Sequence, residues 1–266
     1  MTKLAIDKRA IAYSFGVAAP KYDSVAHFQR WVGGKLLAAI PSYSYSRILD
    51  LGTGTGHFIE PLRTAYDPEL VCATDLSEGM VRYVAESKHK DTSLVVGDAD
   101  RLPFKAGSFD LVYSSLAIQW CYDLPHLLNE VSRILAPGGV FAFSTLLDGS
   151  LAELKEAWTQ VDQSQHVNDF FVLRDYQDAI EMSGLQIIEL SSRPKVLEYS
   201  RALDLSRELK TLGAHNMTQN RNRGLTGKAR MKSFVEHYEG NRMDNGYLPA
   251  TYQVGFGVLK KRLDDD

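Results

Sequence analysis

Cysteine is scarce in this chain of 266 residues: Cys72 and Cys121 are the only two, and both sit among apolar neighbours. Such a pair makes no disulfide framework and is expected to pack as small hydrophobes. Long apolar runs are missing too, since none approaches the roughly 18 residues that a membrane-crossing helix requires. The opening stretch Met1-Thr2-Lys3-Leu4-Ala5-Ile6-Asp7-Lys8 lacks the apolar core of a signal peptide. No repeat or low-complexity segment interrupts the chain, and no metal-ligand spacing is evident. A hydrophobic fraction of 44% is enough for a packed core and excludes a disordered linker. The expectation is a soluble, cytoplasmic protein of one domain, spanning 1–266.

Net charge is small as well, at -3, but it is unevenly spread. The segment from Arg193 to Lys232 holds ten basic residues against three acids, Glu198, Asp204 and Glu208, for a local balance of +7. That asymmetry is what a docking surface for an acidic partner would show; a solvated helical face would show it too. The overall acidic balance and the lack of a nucleic-acid motif argue against nucleic acid as that partner.

Hydrophobic periodicity divides the chain. Phe28, Trp31, Val32, Lys35, Leu36 and Ala39 recur near a 3.6 period, so residues 1–45 read as an N-terminal helical cover. Strands then alternate with helices over 46–192. Strands are predicted at 47–51, 70–74, 93–96, 109–114, 140–146 and 185–190, the fifth introduced by Pro137-Gly138-Gly139. A last strand, 252–259, falls within a closing segment at 248–266. This alternation predicts an α/β fold with a mostly parallel sheet and right-handed crossovers. Between the last two strands, helical patterns at 201–212 and 226–238 are too long for a plain connection. They predict an inserted basic helical lid at 193–247.

The chemistry gathers where strands end, which is where open parallel sheets bind ligands. The first strand runs into Asp50-Leu51-Gly52-Thr53-Gly54-Thr55-Gly56, whose glycines let a backbone approach a ligand that a Cβ would block. A glycine turn alone suits several nucleotide-like ligands. The spacing discriminates, because a dinucleotide fingerprint needs its third glycine where His57 stands. The observed Asp-x-Gly-x-Gly-x-Gly form resembles the first motif of the class I methyltransferases that use S-adenosylmethionine.

That resemblance implies a Rossmann-like, seven-stranded, mostly parallel sheet with helices on both faces, and S-adenosylmethionine as cofactor. Asp50, Gly52, Gly54 and Gly56 are then cofactor-binding, with Ser114 at the fourth strand's end. Asp75, ending the second strand, is placed on the ribose hydroxyls; the alternative for it is a simple cap before Ser77-Glu78. Asp98 in Gly97-Asp98-Ala99 is placed on the adenine amine. Leu76, Met80 and Ala99 would line the adenine faces, although a Met there is also a common core filler.

Further blocks extend the likeness. Asp98-Ala99-Asp100-Arg101-Leu102-Pro103-Phe104 and Ser108-Phe109-Asp110-Leu111-Val112 are similar to ubiquinone-type methyltransferases. Phe15 to Tyr22, Leu116-Ala117-Ile118-Gln119-Trp120-Cys121, Leu209-Lys210-Thr211-Leu212-Gly213-Ala214, Gly224-Leu225-Thr226-Gly227 and Tyr247 to Tyr252 resemble the malonyl-acyl-carrier-protein O-methyltransferases of biotin synthesis. The resemblance implies methylation of the free carboxylate of a malonyl thioester on acyl carrier protein, the methyl ester that primes pimeloyl synthesis. An acidic carrier protein, or malonyl-CoA, is the implied partner, with docking on the basic segment 193–232. Tyr22, Gln119 and Trp120 are the candidate catalytic residues, against ordinary amphipathic packing for each. Arg223 and Arg174 are the candidate cations for the malonyl carboxylate. A related enzyme acting on a quinone precursor or another small carboxylic acid is the nearest alternative. A nicotinamide oxidoreductase and a non-enzymatic binding module are further ones.

Overall fold

The computed structural model describes residues 7–87, 89, 91–214 and 227–263. Two helices come first, α1 (Lys8–Tyr22) and α2 (His27–Ala39). Asp7 caps α1 by accepting from Ala10 N. The alternating region follows as β1 (Arg47–Leu51), α3 (Ile59–Tyr66), β2 (Leu70–Asp75), α4 (Glu78–Ala85), β3 (Ser93–Val96) and β4 (Phe109–Ser115). A 3-10 turn at Ile118–Trp120 leads to α5 (Leu124–Ile134) and β5 (Leu135–Leu146). After these come α6 (Ala152–Thr159), α7 (Leu173–Ser183), β6 (Leu185–Tyr199), α8 (Ala202–Thr211), α9 (Lys228–Glu239) and β7 (Leu248–Lys261).

The sheet has seven strands in the order β3-β2-β1-β4-β5-β7-β6. The first five are parallel, and β7 runs antiparallel to both of its neighbours. Side chains alternate across it, and both faces are apolar, as expected for strands covered on two sides. Ile48, Leu111, Val140 and Ala142 face a layer that includes Phe28, Val32 and Leu36 of α2. Their neighbours Leu49, Val112, Phe141 and Phe143 face Leu127, Val131 and Ile134 of α5, with Tyr176 and Ile180 of α7 behind. Strand order reverses at β1 and β4, so the carboxyl ends of β1, β2 and β4 open onto one crevice.

Two boundaries differ from the sequence reading. The expected lid at 193–247 begins later, because β6 continues to Tyr199 and pairs with β7 as far as Leu248. Arg193, Pro194 and Lys195 resemble a connection, but β6 is the sheet edge, where charges and a proline without a donor are tolerated. Where it is described, the basic segment is thus part edge strand and part helices α8 and α9. Strand β5 also starts before the Pro137-Gly138-Gly139 turn, which it absorbs as an irregularity opposite Phe109 and Leu111. Among the described residues no helix is long and apolar enough to cross a membrane.

Helix α1 lies across α4 at a crossing that requires two glycines. A Cβ on Gly79 would stand 2.6 Å from the Cα of Gly16. Ser77 pins the crossing, its hydroxyl donating to Ala12 O at 2.6 Å. The Lys8 ammonium, held at 2.6 Å from Asp98 and 2.5 Å from Asp100, ties down the first turn of α1. These groups are partly exposed, so the ion pairs contribute modestly. The close glycine contact and buried Ile11, Ala18 and Ala19 fix the helix more firmly. Gly79→Ala should therefore lift α1: hydrogen exchange is expected to show lost amide protection over residues 8–22 with the sheet unchanged. Full protection of α1 in the variant would show that the crossing absorbs a methyl group.

Candidate functional site

The turn after β1 is held from two sides. Gly52 N and Thr53 N both donate to Thr74 O at the end of β2, at 2.8 and 3.0 Å. Gly52, Gly54 and Gly56 all have positive φ, at 77°, 54° and 79°, which explains three glycines in five residues. This path swings Gly54 N onto Asp75 Oδ2 at 2.9 Å, while Ser77 N donates to Asp75 Oδ1 at 2.8 Å. Asp75 therefore has both oxygens oriented by backbone, and Ser77 is the one that caps α4. The helix-cap alternative for Asp75 gives way to a carboxylate aimed at the crevice.

Most of the residues predicted for the cofactor line one cavity: Gly52, Gly54, Asp75, Leu76, Met80, Asp98 and Ala99. Three do not. Asp50 stands behind the turn, accepting from Thr53 Oγ1 at 2.6 Å, and borders a smaller pocket beside Arg30 and Tyr22. Gly56 packs under the turn, where a Cβ would stand about 3.0 Å from Ile59 and 3.2 Å from Val84. Ser114 is fully buried and donates to Leu51 O at 2.8 Å. Alternation along β4 turns its neighbour Ser115 to the cavity instead.

Helix α1 supplies a cover that the sequence reading assigned only in part. Lys8, Ile11, Phe15 and Tyr22 line the same cavity, at spacings of three, four and seven that share one helix face. That heptad-like spacing was a readable signal for the three residues not singled out.

Tyr22, Gln119 and Trp120 meet in a second cavity, of about 190 Å³. Phe15, Tyr22, Leu116 and Trp120 line both cavities and so form their shared wall. Phe15 meets Trp120 edge to face, with centroids 5.5 Å apart. The second cavity is mostly apolar and closes with Trp158, His166 and Val167 on one side and Leu209 and Leu212 on another. These come from segments far apart in the chain, and no local pattern announces them. Gln119 Nε2 donates to Leu116 O at 2.6 Å, which leaves its buried Oε1 without a hydrogen-bond partner; Gln29 Oε1 is also buried and unpartnered. Buried acceptors of this kind await donors from a ligand or water. Of the two arginines predicted to hold an anion, Arg223 lies outside the described residues. Arg174 is not brought to either cavity: its side chain is 74% exposed on α7 and pairs with Asp178 at 2.7 Å.

The electrostatics favour a positively charged guest. Burial pushes the Asp50 carboxyl up to about 7, with Asp75 nearby adding to the shift and the Thr53 hydrogen bond opposing it. Burial likewise raises Asp75 despite its two backbone donors. Burial and the negative charges of Asp75 and Asp23 raise Tyr22, which stays a phenol and a donor at neutral pH. The buried Asp50 carboxyl, the half-buried Asp75 carboxyl, a glycine cradle and apolar walls at Leu76 and Met80 suit a ligand with a cation, hydroxyls and a flat ring.

A methyltransferase domain family matches residues 49–143. The malonyl-(acyl-carrier protein) O-methyltransferase of Methylococcus capsulatus is 42% identical, covering 96% of this chain and 94% of that protein. Its namesake from Yersinia pestis is 37% identical over 96% of this chain and 92% of its own length. The biotin biosynthesis bifunctional protein BioHC of Cellvibrio japonicus is 43% identical over 97% of this chain but only 51% of its own length. The chain thus spans about half the length of such bifunctional relatives. Among solved structures, a putative methyltransferase complexed with the Haloferax volcanii Trm112 activator superposes with a TM-score of 0.59 at 21% identity, covering 93% of this chain and 97% of that one. The YcgJ protein of Bacillus subtilis gives 0.61 at 19%, over 88% and 99%. Those two likenesses establish the fold alone.

The charge state of Asp50 is directly measurable. Its raised folded-state value means that ionisation costs stability: the penalty is absent below about pH 4, grows as pH rises, and is complete above about 7. Asp50→Asn should thus raise the melting temperature of the ligand-free protein at pH 8 and leave it nearly unchanged at pH 4. A difference that stays constant across that range would contradict a neutralised Asp50.

Proposed function

The chain belongs to the malonyl-acyl-carrier-protein O-methyltransferase family, and from that premise we propose that it transfers a methyl group from S-adenosylmethionine to the free carboxylate of a malonyl thioester on acyl carrier protein. The observation that carries this reading is the pair of cavities with one wall in common, Phe15, Tyr22, Leu116 and Trp120. A donor site and an acceptor site on either side of Tyr22 are the arrangement that a direct group transfer requires.

When bound, S-adenosylmethionine supplies an electrophilic methyl on a sulfonium. Asp75 is the acceptor for its ribose hydroxyls, Asp98 for its adenine amine, and Leu76, Met80 and Ala99 the surfaces for its ring. Asp50, behind the turn, answers its positive end. A malonyl carboxylate is already ionised near neutral pH, so the residues of the second cavity need not remove a proton. Their work is to orient and to exclude water. Orientation of reacting groups contributes as much as ~7–11 kcal/mol in favourable models. The apolar walls strip water from the incoming oxygen. Tyr22 donates its phenolic hydrogen at the junction, while Gln119 and Trp120 bound the acceptor pocket.

The carrier protein is read as docking on α8 and α9, which follow edge strand β6 in the basic segment. Arg201, Arg207, Lys210, Lys228 and Lys232 are exposed there. Several are locally paired, Arg201 and Arg207 with Asp204 and Lys232 with Glu236. Exposed pairs of that kind hold little energy and leave the field positive for steering. The compartment this reading assigns is the cytoplasm.

Incubation with S-adenosylmethionine and malonyl carrier protein should give a product heavier by one methylene unit, with the ester on the malonyl group by fragmentation. Absence of that product would remove the reading. Lys210→Glu combined with Lys228→Glu should lower kcat/KM for the carrier-linked substrate about tenfold at low salt, an effect that fades as salt screens the charges. Malonyl-CoA, which lacks the protein surface, should lose less than about twofold; equal loss on both substrates argues against docking there.

A further inference from the structure

An acceptor carrying a carboxylate needs a positive partner in a cavity that is mostly apolar, because an unpaired buried charge is costly. Among the described residues lining the second cavity, His166 is the one side chain able to carry positive charge. It is also a built feature. Its ring lies flat on Trp158, with centroids 3.8 Å apart and an interplanar angle of 8°, and Phe234 stacks on Trp158 at 4.5 Å and 12°. Its Nε2 meets Asp162 Oδ1 at 2.9 Å. Asp162 is fixed in turn by donation from Ser164 N at 2.8 Å and by Arg230 of α9 at 3.6 Å.

This arrangement does three things to the ring. The stack fixes its plane, and the Asp162 contact fixes which nitrogen is used up. An imidazolium also gains from the indole face beneath it. Protonated, the ring donates from both nitrogens, one to Asp162 and the other, Nδ1, to a second acceptor. A histidine serving only as core filler needs neither the carboxylate nor the cavity position.

We infer that His166, braced by Asp162 and stacked on Trp158, is the anion-recognising group of the acceptor cavity, donating from Nδ1 to the carboxylate of a malonyl thioester. This rests on the acceptor reading given above. It assigns to His166 the role for which Arg174 and Arg223 were the candidates from sequence. Asp162 is a positioning residue in this scheme, acting through the ring. The bond is charge-assisted, and selectivity for an acyl group with a free carboxylate over one without follows from it.

Malonyl-CoA and acetyl-CoA differ by that carboxylate, and their binding can be measured calorimetrically with S-adenosylhomocysteine present and no turnover. The wild type should prefer malonyl-CoA by about tenfold or more, the lower end of what a charge-assisted hydrogen bond contributes. His166→Gln should bring the preference to about twofold or less with S-adenosylhomocysteine affinity unchanged, and Asp162→Asn should give an intermediate loss. Retained preference in His166→Gln overturns the assignment, as does a wild type that does not distinguish the two. Where His166→Gln no longer binds S-adenosylhomocysteine, Asp162→Asn decides, and an unchanged preference in it overturns the assignment. Methyl ester formation by the wild type is scored separately: its absence sinks the acceptor reading, whereas its presence with undiminished selectivity in His166→Gln sinks this inference alone.

Discussion

Two backbone amides, those of Gly54 and Ser77, converge on the two oxygens of Asp75. One belongs to the turn after β1 and the other to the start of α4, so a single side chain ties together the two strand ends that make the crevice. A buried carboxylate resists ionisation, and burial does raise Asp75. Hydrogen bonds to charged groups contribute roughly 1.5–3 kcal/mol each, and here they offset part of that cost. The remainder favours a ligand that brings donors and positive charge.

The cover of the site hangs from the same point. Ser77, whose amide holds Asp75, sends its hydroxyl to Ala12 of α1. Because Gly16 and Gly79 let α1 settle against α4, the apolar face of α1 comes down over the crevice. Phe15 and Tyr22 then serve as roof for one cavity and wall for the other. The floor of the donor site and the partition before the acceptor site are thus mechanically coupled. This coupling suits a reaction in which two ligands must meet at one point and water must not.

The second cavity is built on different terms. Its walls are mostly aliphatic and aromatic, and the polar side chains among them include Gln29, Gln119 and Tyr22, with His166 at the Trp158 stack. Each of the buried glutamines keeps an unpartnered carbonyl oxygen. Fully satisfied polar groups would rigidify a core, whereas groups left with capacity mark where a guest completes the bonding.

What could be read along the chain is what local sequence dictates. Strand-helix alternation, the buried runs of the central strands and the glycine spacing after Asp50 follow from periodicity and backbone sterics; likeness to a family adds Asp75, Leu76, Met80, Asp98 and Ala99, which line one cavity with Gly52 and Gly54. Ser114 and the edge strand β6 are less legible, because one step along a strand exchanges the two faces and the charges of β6 resemble a loop. The pairing of Tyr22 with Gln119 and Trp120 rested on likeness to a family and is realised by the way α1 crosses α4. Arg174 and Arg223 have the chemistry to hold an anion, but residue type says nothing of place, and Arg174 stands exposed on α7. Trp158, Asp162 and His166 lie close together along the chain, but only the tertiary structure could turn His166 toward a cavity also walled by α1 and α8. Nearness between segments so far apart is decided by how layers pack on the sheet, and no local pattern of residue types carries that information.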